Sequence, residues 1–193
     1  YPLRRQRQMC IRDSNLAVME NNNGNSKKAY QYSKKAIELM PNNDGILCNL
    51  AHILSDMGKN RDAIGAISKA IEINPREVEY YNLKGAILID MSEFEDAISV
   101  FQKCIEIDPD FGGAYYNLGY IYEQMDDHQL SVKFYNKAVL LDFDLQSTLV
   151  NLALQEIKIN RISDACSHME RAYKLGRTDI QPLIDKYCSN KKK

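Results

Sequence analysis

Apolar residues recur at three- and four-residue steps through most of the chain, which is the spacing of one face of an α-helix. The pattern is clearest in residues 78–111, which read VEYYNLKGAILIDMSEFEDAISVFQKCIEIDPDF. This stretch predicts two amphipathic helices joined by a short turn. The same pattern returns on both sides every 34 residues, as the spacing of Pro41, Pro75 and Pro109 shows. A fixed period of this size indicates a repeat array, in which each unit buries its apolar face against its neighbours.

Small residues recur at three places in each copy and predict close contacts between helix backbones. Inside a helix, glycine costs about 1 kcal/mol relative to alanine, so Gly85 and Gly119 indicate neighbours too close for a larger side chain. The full series is Ala17, Ala29, Ala36, Ala51, Ala63, Ala70, Gly85, Ala97, Cys104, Gly119, Ser131, Ala138, Ala153, Ala165 and Ala172.

The helical spacing predicts five pairs of helices and an unpaired helix near the C-terminal end. Ser26 and Ser92 are candidate N-caps, because a serine oxygen can accept from the first amides of a helix. Gly58 suits a left-handed C-cap. The predicted helices are 15–23 and 26–40, 44–57 and 60–73, 78–91 and 93–107, 112–125 and 127–141, 146–159 and 162–175, and 179–188.

Over roughly residues 15–179, the sequence resembles the tetratricopeptide repeat family. The resemblance lies in YNLKGAILIDMSEFEDAISVFQKCIEIDP and YYNLGYIYEQMDDHQLSVKFYNKAVLLD, which combine the fixed length with small residues at three sites. It implies an all-α right-handed α-solenoid of about five antiparallel helix-turn-helix repeats with a C-terminal capping helix. The sequence departs from the family pattern at Lys84, where leucine is usual, at Phe143, which replaces the proline, and at Ser131, which replaces an alanine.

The repeat frame also predicts how the chain is divided. We expect the array at 15–179, with copies near 15–43, 44–77, 78–111, 112–145 and 146–179, and a capping helix with a basic tail at 180–193. Residues 1–14, YPLRRQRQMCIRDS, do not fit the frame. Their arginines would suit a nucleic-acid arm or the start of a signal peptide, but no apolar stretch follows. The string resembles a translated sequencing adapter, and we interpret it as a non-native leader.

Composition narrows the function classes. The 193 residues are 45% hydrophobic and 26% charged with a formal net charge of −1, which gives no argument for a nucleic-acid or membrane partner. The five cysteines are odd in number and lack CxxC spacing. We therefore expect small buried side chains instead of disulfides or a zinc site, as suits a reducing, cytoplasmic compartment.

In this family the first helix of each pair lines a concave groove, so the resemblance implies a peptide-binding surface there. A row of asparagine amides could hold an extended peptide by its backbone, since each amide both donates and accepts hydrogen bonds. The same asparagines could instead serve helix packing or face water. The candidate binding residues are Asn49, His52, Asn82, Leu83, Ile89, Tyr116, Asn117, Tyr120, Asn151 and Leu154.

The charges projected onto that groove predict the chemistry of the ligand. Its carboxylates, Asp56, Glu79, Asp90 and Glu123, outnumber the single cation Lys158, so we expect a neutral or basic protein or peptide. Some relatives clamp the C-terminal carboxylate of chaperones with Lys, Asn and Arg residues. The matching places here hold Cys48, His52 and Leu83, which predicts that this chain is not such a co-chaperone.

The sequence gives only weak support for catalysis. His52, His128 and His168 lack metal-ligand spacing, and no phosphate loop or nucleophile motif occurs, so we expect no catalytic residues, metal or cofactor. The leading hypothesis is a non-enzymatic scaffold that binds a protein or peptide. Two alternatives stay open: a sensory or substrate-docking region of a larger enzyme or regulator, and a structural role through stacking of the repeat ends.

Overall fold

A computed structural model describes the backbone of residues 2–188 and the side chains of residues 8–188. These residues form helices joined by short turns, with a 3₁₀ turn at Thr178–Ile180 before the last helix. The helices are α1 (Pro2–Asn22), α2 (Ser26–Leu39), α3 (Asp44–Asp56), α4 (Asn60–Ile73), α5 (Val78–Asp90), α6 (Phe94–Ile107), α7 (Gly112–Gln124), α8 (His128–Leu140), α9 (Leu145–Lys158), α10 (Ile162–Lys174) and α11 (Gln181–Cys188).

The predicted helix pairs are confirmed, with ends that agree to within about two residues, except in the first helix. There α1 begins at Pro2 instead of residue 15, so the described residues of the predicted leader are helical. Within them Cys10 and Asp13 are buried. Whether residues 1–14 are native stays a matter of prediction.

The chain divides within α6, between Val100 and Phe101, into two compact units. In the N-terminal unit α1 to α5 pack in sequence, and the first helices α1, α3 and α5 also contact one another in turn. In the C-terminal unit α7 packs on α8, α8 on α9 and α9 on α10, and α11 then packs on α10. This is the expected order of antiparallel hairpins with a final capping helix.

The turn inside each hairpin is a left-handed C-cap that recurs with the repeat. Gly24, Gly58, Ser92, Asp126 and Asn160 all have positive φ, between 59° and 77°. In each of these turns, two backbone amides donate to carbonyl groups in the last turn of the preceding helix. For example, Gly58 N donates to Ser55 O and Lys59 N donates to Leu54 O. The prediction for Gly58 is confirmed. Ser26 and Ser92 are not N-caps, because Asn25 precedes α2 and Ser92 occupies the left-handed position instead.

The linker before α9 has Phe143 in place of the proline, and Gly112 leaves space for that side chain. A Cβ atom on Gly112 would lie 2.6 Å from Phe143 Cβ, so the absence of a side chain makes room for the phenylalanine. Asp142 and Asp144 on either side of Phe143 take left-handed backbone conformations. Thr148 Oγ1 then donates to Phe143 O over 2.7 Å, which fixes the start of α9.

The predicted small residues are buried, as the packing argument requires. At Gly119 a Cβ atom would lie 2.7 Å from the Tyr135 ring, so α7 and α8 approach too closely for alanine. Ser131, which replaces the usual alanine, donates its hydroxyl to Gly119 O over 2.8 Å. The hydrogen bond explains why a polar residue is tolerated at a fully buried site.

The expectation that the cysteines form no disulfide is wrong. Cys166 of α10 is bonded to Cys188 of α11. The capping helix packs over α10 and brings the two Cα atoms to 5.6 Å, which is within the range of a disulfide. Cys104 and Cys166 are buried as expected, but the cysteines no longer argue for a reducing compartment.

Candidate ligand-binding surfaces

A cleft of about 360 Å³ lies between the first helices α1 and α3 of the N-terminal unit. We call it the N-terminal cleft. Two of the predicted binding residues, Asn49 and His52, line it together with Asp56. His52 and Asp56 are exposed, whereas Asn49 is half-buried. The remaining lining residues are Val18, Asn21, Asn22 and Ile53.

Two of the predicted ladder asparagines donate to the preceding first helix. Asn49 Nδ2 donates to Ser14 Oγ over 3.3 Å, and Asn151 Nδ2 donates to Tyr116 Oη over 3.1 Å. Both pairs are separated by 35 residues, so the same bridge forms at equivalent junctions in the two units. One amide donor of each of these two asparagines is therefore used in packing between repeats. The side-chain oxygen of each can still accept a hydrogen bond.

Three predicted binding residues lie on α5, and none of them is fully exposed. Leu83 is 9% exposed and belongs to a core cluster with Ala51, Leu54 and Ile87. It therefore contributes to packing and offers little surface to a ligand. Asn82 and Ile89 are half-buried.

In the C-terminal unit, Tyr116 belongs to an aromatic cluster with Tyr135 and Phe143, at centroid distances of 5.6 Å each. Tyr135 is fully buried and donates its hydroxyl to Glu123 Oε2 over 2.8 Å. Burial, followed by the Glu123 charge, raises the pKa of Tyr135, so its hydroxyl stays protonated and keeps donating.

The other predicted residues of that unit differ in how much surface they present. Tyr120 is 37% exposed, which makes it the aromatic side chain of α7 best placed to meet a partner. Asn117 is half-buried. Leu154 is partly buried and packs against the core cluster of α9 and α10.

A polar link that the sequence did not reveal joins α3 to α5. Tyr80 Oη donates to Asp44 Oδ2 over 3.0 Å, and Asn74 Nδ2 donates to the same oxygen over 3.3 Å. Burial opposes ionisation of Asp44, but these hydrogen bonds, together with those from the backbone amides of Gly45 and Asp44, outweigh it and lower the pKa of the carboxyl group. Burial, with Asp44 as the next cause, raises the pKa of Tyr80.

The buried carboxylate of Glu156 is the other feature that could carry chemistry. It is fully buried on α9, and its Oε2 lies 2.8 Å from His168 Nδ1 of α10. Arg161 Nη2 lies 3.9 Å from the second oxygen. The described residues contain no group of three His, Cys, Asp or Glu side chains that could hold a metal ion. The contact between Glu156 and His168 links α9 to α10.

The residues of α1 in the N-terminal cleft were missed because the groove was projected only from the second copy onward. The 34-residue frame places Val18 at the position of His52 and Asn22 at the position of Asp56. Applying the same frame to the first copy would have found both.

Between residues 2 and 188, no helix has both the length and the apolar character needed to cross a bilayer.

The fold and its surfaces define a protein built of helical hairpin repeats, and comparison with known proteins agrees. Tetratricopeptide repeat models match residues 22–87, 85–126 and 112–145, so the matches run continuously from residue 22 to residue 145. The chain belongs to the tetratricopeptide repeat family. No curated protein sequence matches it.

Solved structures show the same fold at low sequence identity. PilF of Pseudomonas aeruginosa has a TM-score of 0.79 at 18% identity, over 89% of this chain and 78% of that one. MamA of Desulfovibrio magneticus RS-1 has a TM-score of 0.75 at 20% identity, over 88% and 96%. The protein TTC0263 of Thermus thermophilus has a TM-score of 0.70 at 17% identity, over 93% and 97%. These likenesses establish the architecture alone.

Proposed function

We propose that this chain is a non-enzymatic scaffold that binds a protein or peptide along its first helices. Tetratricopeptide repeat proteins are in general interaction scaffolds, and the N-terminal cleft is the observation that carries the proposal here. The cleft is open to solvent between two adjacent first helices, and amide side chains line it. Amides can pair with the backbone of an extended peptide whatever its sequence.

We further propose that the ligand is neutral or basic. Exposed carboxylates at Asp56, Glu79 and Asp90 lie on the first helices of the N-terminal unit, which disfavours an acidic ligand. A chaperone-tail carboxylate would also lack its cationic clamp. Burial, then the nearby Glu79, Glu77 and Asp44 charges, raises the pKa of Cys48 to about 11, so its side chain is a neutral thiol.

Affinity capture from the source cells tests the proposal on the C-terminal unit. The full chain and a variant carrying Asn117→Ala and Asn151→Ala are used as baits, and we expect the variant to lose the specific partner. A control variant, Gln129→Ala with Ser167→Ala, changes exposed residues of the second helices α8 and α10 and should keep it. Thermal melts confirm that both variants fold. If every partner survives the double asparagine change, the first-helix assignment in the C-terminal unit is wrong.

A further inference from the structure

Three aromatic side chains follow one another along α7 in the C-terminal unit. The ring centroids of Phe143 and Tyr116 lie 5.6 Å apart. Tyr120 comes four residues after Tyr116, so the two side chains are neighbours on the same face of the helix. Tyr120 and Phe143 are each 37% exposed, and Tyr116 is half-buried. We call these three residues the aromatic strip, and it presents aromatic surface to solvent.

The aromatic strip belongs to one copy of the repeat. At the three equivalent positions of the 34-residue frame, the other copies carry no aromatic residue. Those positions hold Ser14, Cys48, Asn82 and Val150 for Tyr116, Val18, His52, Ala86 and Leu154 for Tyr120, and Pro41, Pro75, Pro109 and Arg177 for Phe143. The packing of successive repeats therefore does not require these rings, which favours a role specific to this copy.

A pair of glycines allows Phe143 to join the strip. A Cβ atom on Gly112 would lie 2.6 Å from Phe143 Cβ, and one on Gly113 would lie 3.3 Å from Phe143 Cε2. Larger residues at the start of α7 would push the phenylalanine away from Tyr116. The strip thus depends on aromatic residues and glycines that occur together in the same copy.

The central ring of the strip is held in place before any ligand binds. Asn151 Nδ2 of α9 donates to Tyr116 Oη over 3.1 Å. The Tyr116 ring also lies 5.6 Å from the ring of the buried Tyr135. Burial raises the pKa of Tyr116, so its phenol stays neutral. Because this ring is already ordered, binding costs little side-chain entropy.

An aromatic surface on the side of a helix suits a ligand that is rigid before it binds. A flexible peptide loses conformational freedom on binding, and contacts with a few rings offset that loss poorly. A polyproline II segment already has its extended shape and makes no internal hydrogen bonds. Its proline rings pack on aromatic side chains, and its backbone offers carbonyl oxygens without N–H groups. The exposed Tyr120 can donate its hydroxyl to such a carbonyl.

We propose that the aromatic strip binds a proline-rich segment of the partner protein in the polyproline II conformation. This inference rests on the proposed function and adds the class of peptide that one part of the C-terminal unit recognises. The three rings supply the contact area, and the Tyr120 hydroxyl fixes the position of one backbone carbonyl. Recognition then depends on the shape and stiffness of the segment instead of its charge.

Fluorescence anisotropy on the full chain tests the proposal with labelled peptides of equal length. The probe is a blocked oligoproline, and the matched peptide alternates glycine with serine, so it is uncharged and flexible. We expect the oligoproline to bind at least about fivefold more tightly, because it loses less conformational freedom. A third peptide alternates glycine with lysine and reports attraction to nearby carboxylates. Equal affinity for the first two peptides, or tightest binding of the lysine peptide, would overturn the proposal.

The Tyr120→Ala variant removes one ring of the strip. Because Tyr120 is exposed, this change should leave the fold intact, which a thermal melt checks. We expect the affinity for oligoproline to fall about fivefold, as for loss of an aromatic anchor, with no change for the glycine–serine peptide. Tyr120→Phe keeps the ring and should retain most of the affinity. Tyr173→Ala is the matched control, because Tyr173 is 38% exposed on the second helix α10 and lies outside the strip. Unchanged oligoproline affinity in Tyr120→Ala, or an equal loss in Tyr173→Ala, would contradict the assignment.

The capture experiment and the anisotropy titration fail separately. The first removes the amides of Asn117 and Asn151, whereas the second uses defined peptides and changes Tyr120. Loss of the partner in the asparagine variant together with no preference for proline would reject the strip and keep the scaffold. A preference for proline that Tyr120→Ala abolishes, with every partner surviving the asparagine change, would support the strip and reject the asparagine assignment.

Discussion

The two units are built from the same repeat and share the asparagine bridge between successive first helices, but they differ in the other side-chain contacts that reinforce their packing. In the N-terminal unit, Tyr80 of α5 donates to Asp44 of α3. In the C-terminal unit, an aromatic cluster forms around Tyr116 within one repeat, and the disulfide Cys166–Cys188 ties the capping helix to α10. The small residues set the spacing of the hairpins in both units. The side chains between those positions then decide which chemistry holds a given junction.

One position of the repeat shows this directly. Asp44 and Gly112 occupy the same place in the 34-residue frame, two copies apart. Asp44 accepts a hydrogen bond from Tyr80 of the next repeat, whereas Gly112 makes room for Phe143 of its own repeat. A shared repeat signature therefore does not predict how strongly, or by which forces, successive copies are joined.

The largest difference in stability between the two units should come from the disulfide. Reduction, or Cys188→Ser, removes a cross-link between residues separated by 22 positions, and we expect a loss of about 3 kcal/mol from the C-terminal unit. Hydrogen exchange followed by mass spectrometry should show lost protection in α11 and unchanged protection in α3. Cys48→Ser in the N-terminal unit is the control. Equal protection of α11 with and without reductant would mean that apolar packing alone holds the cap.

A second comparison between the units measures how glycine-to-alanine substitution changes stability at two positions. Gly119→Ala should destabilise the chain by about 2 kcal/mol, because the new methyl group collides with the buried Tyr135 ring. Gly65→Ala should stabilise it by about 1 kcal/mol, because a Cβ atom there meets nothing within 4 Å and alanine favours a helix. Chemical denaturation measures both. The same sign at the two sites would contradict the close α7–α8 contact.

The smallest effect should come from the polar link of the N-terminal unit, and it should depend on pH. Tyr80→Phe removes a donor to the Asp44 carboxylate, and we expect a loss of about 1 kcal/mol at pH 7. Because the folded-state pKa of Asp44 is lowered from 3.8, this stability is fully present above that value and disappears as the pH falls through the folded-state pKa. Urea titrations of both proteins between pH 7 and pH 2 measure the difference. A difference that does not change with pH would show that the hydroxyl does not act through the carboxylate.

Local sequence signals were enough for most of the fold. Helix ends were predicted well because apolar spacing, prolines and glycines act within a few residues. The small residues predicted burial for the same reason, since Gly119 and Ser131 fill places fixed by the repeat. The left-handed turns at Ser92, Asp126 and Asn160 were harder to see, because these residues adopt positive φ only when the hairpin demands it.

The candidate binding residues were harder to predict from the sequence. Asn49 and His52 do line a cleft, but Leu83 is buried in a core cluster and Asn151 bonds to Tyr116. Repeat numbering gives the helix on which a side chain lies and its approximate direction. It does not say whether the neighbouring repeat covers that side chain, because the covering residue lies 35 positions away in the chain.

The sequence by itself determined that the chain forms paired helices with a 34-residue period, because apolar spacing and small residues are properties of local segments. Only the tertiary structure decided that Cys188 reaches Cys166, that Asp44 meets Tyr80, and that Asn21 leaves a shielded oxygen beside Asp56. These contacts depend on how one hairpin packs on the next. That arrangement is fixed by many side chains together and is not encoded in any single motif.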